Sequence, residues 1–366
     1  MDKVRQWRMS VNGLYGTGFQ SPESVADALF GVQAQEHVAS VISIWNRLQD
    51  GSHLCGKKNQ RNTIDKATIL AKGDNLIKLW GQRGTLHVFC IKDWPIVASS
   101  FGQALLDQRN NRVADPLQIR RHVDRIVKEF ESNSHQTNRD RFDPMISRGI
   151  RMMLTLEGHG AWRYHSLPNK ICNLTPRSSL YPSTWNLPPR LDALRVAALR
   201  YFASYGPALE IDFRFMMGIT ALPSKTVIAS LIEAGELVQI TIDARPYLLP
   251  SVLKRQFESF IVTSSPVRLL YKFDPILLAH SDKSWLIEPE YKARVWGKCA
   301  VVHATVLIKG KISGIWKLSW PRKLQAKVDI TLFHDIKASD RKAIDMQIAG
   351  IARCLQAEEY CIDYHV

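Results

Sequence analysis

Two glutamines, Gln33 and Gln35, lie two residues apart near the N-terminus, with Ala34 between them. A side-chain amide both donates and accepts hydrogen bonds, so a pair of amides can hold one water molecule. Side chains at positions i and i+2 converge in extended chain or at a helix start, whereas in mid-helix they diverge. A Gln-x-Gln spacing is common by chance, however, and such glutamines usually face solvent or cap a helix. The pair therefore indicates a site only if other features of the chain support one.

The residue types that most often bind metals form no recognisable motif. The six cysteines are dispersed without a C-x-x-C pair, and the eleven histidines are also scattered. We therefore predict no metal site and no cofactor. Dispersed free thiols are typical of a reducing compartment, so we expect a cytoplasmic protein.

The composition favours a folded, basic protein. The chain has 366 residues, 45% of them hydrophobic, and a formal net charge of +15. A chain of this length is expected to form several structural units. The positive charge favours nucleic acid as the partner, and a basic surface kept for solubility is the alternative. No apolar run reaches the roughly 18 residues of a membrane span, so we expect no membrane partner.

Helices alternate with hairpins along the chain, which is the element order of winged helices. Ser21 is a good N-cap for a helix that begins at Pro22, and a short helix is predicted at 63–72. Strands at 76–80 and 85–90 then form a hairpin.

Later units repeat this order. Ser224 is expected to cap the third helix of its unit, and Ser339 to cap the final helix of the chain. The predicted boundaries are 1–100 for a first winged-helix unit with the glutamine pair, 101–189 for a second winged-helix-like unit and linker, 190–265 for a third winged helix, and 266–366 for a C-terminal β-rich domain with a basic hairpin and a final helix.

Short stretches from the N-terminal helices to the C-terminal sheet share one resemblance. They are GVQAQ at 31–35, QRGTLH at 82–87, YGPA at 205–208 with DF at 212–213, FDPILL at 273–278, and the segment 310–316. In this order they resemble the winged-helix DNA glycosylases of the AlkZ/YcaQ type, over nearly the whole chain. The resemblance implies an α+β, helix-rich fold, with tandem winged helix-turn-helix domains around a concave DNA-binding cleft and a C-terminal β-rich domain.

The resemblance also implies the catalytic residues. The family's motif of Gln, an apolar residue and then Gln or Asp matches Gln33, Ala34 and Gln35, so Gln33 and Gln35 are the expected catalytic residues. The second Gln is similar to the AlkZ-like branch. This chain has Met216 where the resemblance predicts a Trp.

Two glutamines suffice only for one class of substrate. Glycosidic cleavage usually needs a carboxylic acid and a carboxylate. A purine alkylated at N7 or N3 is already cationic and leaves as a neutral base without a proton. The amides can then hold the attacking water, with their carbonyl oxygens facing the developing positive charge. We therefore expect a monofunctional DNA glycosylase for N7-alkylguanine and N3-alkyladenine in base excision repair, without lyase activity. The unhooking of interstrand cross-links is left open.

Four further residues are candidates for contact with DNA. Arg83 on the first hairpin could touch a phosphate, and His87 could line the cleft or be an ordinary core histidine. Lys309 and Lys311 at a hairpin tip could meet the duplex backbone or belong to a solvated turn. Asp274 is expected to be structural and to cap the turn before its proline.

The alternative function is that of a non-catalytic winged-helix transcription regulator, because the fold alone does not set function. Such a regulator usually dimerises on a palindromic site, and this sequence shows no heptad pattern. We therefore expect a monomer that acts on double-stranded DNA. A regulator would also have no need of the glutamine pair.

Overall fold

The computed structural model describes residues 2–49, 75–110, 116–132, 144–164, 172–181, 184–262, 265–322 and 324–365. The helix predicted at 63–72 lies outside these residues. The described α-helices are α1 (Asp2–Val11), α2 (Pro22–Ala28), α3 (His37–Trp45), α4 (Trp94–Asn110), α5 (Pro116–Ser132), α6 (Pro144–Leu156), α7 (Arg177–Leu180), α8 (Arg190–Tyr205), α9 (Glu210–Met217), α10 (Ala221–Glu233), α11 (Lys254–Ser259), α12 (Pro275–Leu278), α13 (Lys292–Val295) and α14 (Ala338–Cys354).

The described strands form three sheets. The strands are β1 (Val32–Gln33), β2 (Leu76–Trp80), β3 (Leu86–Cys90), β4 (Gly160–Tyr164), β5 (Cys172–Pro176), β6 (Leu237–Ile242), β7 (Arg245–Pro250), β8 (Arg268–Leu270), β9 (Ala304–Ile308), β10 (Lys311–Arg322), β11 (Gln325–Leu332) and β12 (Glu359–His365). The sheet orders are β1-β3-β2-β4-β5, β12-β11-β10-β9-β8 and β6-β7. One apolar core extends from the first sheet through α8 to the C-terminal sheet.

The first sheet combines two hairpins that were predicted to lie in separate units. β2 pairs with β3 as predicted, and it also pairs with β4, where Lys78 lies opposite Trp162. The rings of Trp80 and Trp162 pack edge to face at 5.4 Å between centroids. Residues on both sides of the 100/101 boundary therefore build one sheet, and that boundary stays a prediction.

The start of α2 agrees with its sequence signal. The Ser24 N–H donates to Ser21 Oγ at 3.2 Å, and the Ser21 N–H donates to Ser24 Oγ at 3.0 Å. Pro22 occupies the first helical turn, where a missing N–H costs no intrahelical bond. This cap fixes the element that precedes the glutamine segment.

Residues 190–250 form three helices and a hairpin in the predicted order. The predicted role of Ser224 was wrong: α10 begins at Ala221 after Thr220, and Ser224 is buried inside the helix. Pro223 is tolerated in the first turn, because the N–H groups there have no intrahelical acceptor. The α+β class is confirmed, whereas the tandem winged-helix arrangement stays a prediction.

The C-terminal sheet contains the basic hairpin. Ile308 pairs with Lys311 across a two-residue turn, in which Lys309 and Gly310 have φ of 51° and 74°. Positive φ at both positions matches the twist of a tight hairpin. The predicted cap of the final helix was wrong, because α14 begins at Ala338 and Ser339 lies inside its first turn.

Asp274 is structural, as predicted. Its side chain accepts the Ile276 N–H at 3.1 Å and so caps α12. It also pairs with Arg47, and both side chains are fully buried. This pair fastens the segment after α3 to the C-terminal part of the chain. No helix among the described residues is long and apolar enough to span a membrane.

Candidate active site around Gln33 and Gln35

Gln33 ends strand β1 at the edge of the first sheet, and Gln35 follows it in a bend of the chain just before α3. In β1, Gln33 is paired with His87 of β3, and the Ala34 N–H donates to the Leu86 carbonyl at 2.7 Å. Val32 and Ala34 are fully buried and Gln33 is buried with 7% exposure, whereas Gln35 is exposed. Both side chains contact the β2–β3 hairpin, Gln33 through Arg83 and Gln35 through the Leu86 N–H, and this shared hairpin brings the two amides to one region.

Arg83 fixes the orientation of the Gln33 amide. Arg83 Nη2 donates to Gln33 Oε1 at 3.1 Å. A guanidinium has donors and no acceptor, so the carbonyl of Gln33 must face it. The Gln33 amino group, Nε2, is therefore the end of the amide directed away from Arg83.

The backbone of the same hairpin orients Gln35. Gln35 Oε1 accepts the Leu86 N–H at 3.1 Å, which again places the carbonyl toward the protein. Among the described residues, the side-chain carbonyls of Gln33 and Gln35 each accept one hydrogen bond, which leaves each oxygen a second lone pair. The two amides thus offer a substrate or a water molecule their N–H donors, together with one lone pair each.

Arg83 is partly buried, and both arms of its guanidinium contact protein groups. Arg83 Nη1 donates to the carbonyl oxygen of Met216 and lies 3.1 Å from Met216 Sδ. Burial lowers the pKa of Arg83 to about 10, so the side chain remains cationic at neutral pH. Met216, which stands where a Trp was predicted, is buried and contributes its sulfur and its carbonyl to this contact.

His87 lies beneath the surface, where it cannot contact DNA directly. It is 1% exposed, and its Nδ1 is 2.9 Å from the Thr85 carbonyl. Burial, reinforced by the charge of Arg83, lowers the pKa of His87 to about 3. His87 is therefore neutral, with Nδ1–H as the donor to Thr85. This placement agrees with the core-histidine alternative.

The basic hairpin tip packs on α1. Gln6 Nε2 donates to the Lys309 carbonyl at 3.5 Å, and the Lys309 side chain is exposed. Lys311 is also exposed and forms an ion pair with Glu288. Of the two, Lys309 is the more available to a phosphate. Contact of either lysine with DNA stays a prediction.

Two neighbouring features limit other chemistry. Glu36, the carboxylate next to Gln35, pairs with Lys272 at 3.5 Å.

Among the described residues, one group could hold a metal: Asp27, Cys90 and Asp93. Arg200 Nη1 lies 3.1 Å from Asp27 and 2.7 Å from Asp93, so a cation of the chain already occupies this group. The cluster therefore fits a metal ion poorly.

The partners that orient the amides were missed from the sequence. The Leu86 N–H and the Met216 carbonyl are backbone groups, which carry no residue-type signal. Gly218 offered a usable signal, because a glycine after a helix often marks a left-handed cap. It has φ of 68° and ends α9 beside Arg83.

Comparisons with known proteins agree with the resemblance. The sequence model of the family "DNA glycosylase AlkZ-like" matches residues 26–354. An interstrand DNA cross-link repair glycosylase of Streptomyces sahachiroi is 22% identical over 96% of this chain and 95% of its own length. The solved structure of the S. sahachiroi DNA glycosylase AlkZ shares the fold with a TM-score of 0.73 and 18% identity, over 99% of this chain and 98% of that one. The predicted family is confirmed.

Proposed function

The chain belongs to the AlkZ-like family of DNA glycosylases, and we propose on that premise that it hydrolyses the N-glycosidic bond of cationic N7-alkylguanine and N3-alkyladenine in double-stranded DNA. The observation that carries the proposal is the oriented pair of neutral amides, Gln33 and Gln35, whose carbonyls accept from Arg83 and Leu86. The pair contains no acid that could protonate a neutral leaving base.

Neutral amides suit a leaving group that needs no proton. As the glycosidic bond of a cationic purine breaks, the base becomes neutral and the sugar acquires positive charge. Amide N–H groups can donate to acceptor atoms of the departing base, which gain electron density. The second lone pair of each carbonyl can accept a hydrogen bond from the attacking water, which loses its proton to bulk water once its oxygen has bonded to the sugar carbon. Preoriented dipoles of this kind stabilise a transition state without reorganisation.

Cross-links formed through alkylated purines are a second proposed substrate class. The S. sahachiroi relative is named as an interstrand cross-link repair glycosylase. A purine joined to the opposite strand through N7 carries the same positive charge as a simple N7-alkylguanine. The same hydrolysis would therefore release it.

We propose hydrolysis without a lyase step and without a metal. Lys283 is a buried lysine whose pKa burial lowers to about 7, which is the kind of shift that a Schiff-base nucleophile requires. Its Nζ donates to the carbonyls of Leu277 at 2.9 Å and of His280, and it lies 5.2 Å from the Phe215 ring centroid. An amine held in this way is a structural donor rather than a free nucleophile.

The test is a comparison of cationic and neutral lesions. Methylated duplex DNA is incubated with the protein, and released 7-methylguanine and 3-methyladenine are measured by chromatography. Duplexes with uracil or 8-oxoguanine are treated in parallel. We expect release of both methylpurines, no release of the neutral bases, no adduct with borohydride and no effect of a chelator. Release of uracil would contradict the proposal.

The transcription-regulator alternative predicts a different result. A regulator would bind the duplexes and release no base from any of them. The predicted tandem winged helices and their cleft would serve either function, so binding alone does not separate the two. Base release does.

A further inference from the structure

We propose that Arg83 is a positioning residue, which acts on base excision through the Gln33 side chain and not through a DNA phosphate. The inference rests on the proposed function. It concerns how the site is held together, and Arg83 itself touches neither the base nor the sugar.

The first support is the use of both arms of the guanidinium. Nη2 donates to Gln33 Oε1 at 3.1 Å, and Nη1 donates to the Met216 carbonyl. Met216 is in the last turn of α9, where carbonyl groups lack intrahelical partners and favour a cation. A planar guanidinium bonded at two points has a fixed plane, and this plane sets the direction of the Gln33 amide.

The second support is the backbone beneath Arg83. Arg83 and Gly84 have φ of 55° and 66°, a left-handed turn between β2 and β3. A Cβ atom added to Gly218 would lie 2.9 Å from the Arg83 Cα and from its N. The end of α9 therefore packs directly on the turn and holds its position. Gln82 reinforces the turn through a hydrogen bond from Nε2 to the Phe30 carbonyl.

The third support is the environment of the charge. A phosphate-binding arginine presents a free guanidinium arm at the surface, whereas both arms of the partly buried Arg83 are already bonded within the protein. Both arms are satisfied by neutral acceptors inside the protein. To reach a phosphate, Arg83 would have to abandon Gln33 and Met216, two buried groups that would then lack a donor.

The primary test separates the chemical step from DNA binding. Arg83→Met and Arg83→Lys are compared with the wild type in single-turnover release of 7-methylguanine, and the dissociation constant for the duplex is measured at several salt concentrations. We expect Arg83→Met to slow release by about 10- to 100-fold, with Arg83→Lys intermediate. The dissociation constant and its salt dependence should remain those of the wild type. A weaker affinity with a salt slope lower by about one would indicate a phosphate contact and overturn the proposal.

A double-mutant cycle tests whether the effect passes through Gln33. In the Gln33→Ala background, Arg83→Met should cause no further loss of rate. Independent, multiplicative losses would overturn the proposal. Arg195→Met is the matched control, since Arg195 also bridges two groups, Ser230 at 2.6 Å and Glu236, away from the glutamines. It should leave the rate unchanged.

A second pair of variants tests the same link without removing Arg83. Gly218→Ala introduces a side chain against Arg83, whereas Gly235→Ala has a similar φ of 70° with nothing within 4 Å. Both should lower thermal stability through backbone strain, and only Gly218→Ala should slow base release. Equal rates in the two variants would overturn the proposal. If the wild type releases no methylpurine, the proposed function fails, which is a result distinct from all of these.

Discussion

Arg47 and Arg83 both join distant parts of the chain through a guanidinium, but they meet different partners. Arg47 donates to both carboxylate oxygens of Asp274, at 2.8 and 2.7 Å, and to Asn12 and the Ser43 carbonyl. Among the described residues, Arg83 donates to neutral groups, the Gln33 amide and the Met216 carbonyl and sulfur. The charge of Arg47 is balanced by the Asp274 carboxylate, whereas the described partners of Arg83 are neutral.

The two arginines therefore support different parts of the molecule. The Arg47 network connects α1, α3 and α12, and none of its members is exposed by more than 1%. Its loss would leave a buried carboxylate uncompensated. Arg83 instead orients an amide of the candidate active site. We infer that the charged network maintains the fold and that the neutral one maintains the site.

Breaking the ion pair of Arg47 with Asp274 should destabilise the protein most. Arg47→Met should lower the free energy of unfolding by about 3 to 5 kcal/mol, because Asp274 would remain buried without its partner. Chemical denaturation followed by circular dichroism measures this loss. The double variant Arg47→Met/Asp274→Asn should recover part of it, since the uncompensated charge is gone. A loss below about 1 kcal/mol for the single variant would remove the distinction between the two arginines.

A smaller effect on stability is expected from His87, which lies close enough to Arg83 to be affected by its charge. Its pKa is lowered to about 3 in the folded protein, mainly by burial, while an unfolded histidine titrates near 6.5. Between about pH 3 and pH 6.5, unfolding is therefore coupled to protonation of His87. The free energy of unfolding consequently falls as the pH falls from about 6.5 toward 3. At pH 5 the protonation of His87 in the unfolded chain lowers the free energy of unfolding by about 2 kcal/mol.

Denaturation at pH 7.5 and pH 5 checks the His87 contribution. The wild type should lose more stability between these pH values than His87→Gln, which cannot take up the proton. His280 is also buried with its pKa lowered to about 3 by burial, so it supplies the same acid sensitivity in both proteins. Equal losses in the two proteins would show that His87 does not titrate as the burial requires.

The smallest expected effect concerns the hairpin tip. Lys309→Ala should weaken binding to any duplex by a few-fold and reduce the salt slope by about one, as expected for one phosphate contact. Lys311→Ala should change binding less, because Lys311 is already paired with Glu288. Fluorescence anisotropy at several salt concentrations measures both. Unchanged slopes would place the DNA elsewhere on the protein.

The sequence predicted the local features of the site and missed the long-range ones. Ser21, Pro22 and the hairpin turn residues act on their own neighbours, so their patterns were readable. The contact between Arg83 and Met216 joins residues 133 positions apart and uses a backbone carbonyl. The pairing of β2 with β4 likewise depends on packing between hairpins. Ser224 was misread because a serine inside a helix and one at its cap look the same locally.

The role of the two glutamines is tested by base release from methylated duplex DNA by the Gln33→Ala/Gln35→Ala variant under single-turnover conditions, with its affinity for the same duplex measured alongside. Gln256→Ala, an exposed glutamine of α11, is the matched control. We predict that the double variant binds DNA as the wild type does and releases 7-methylguanine at least about 100-fold more slowly, while the control is unaffected. Release at the wild-type rate would contradict the account and place the catalytic groups elsewhere.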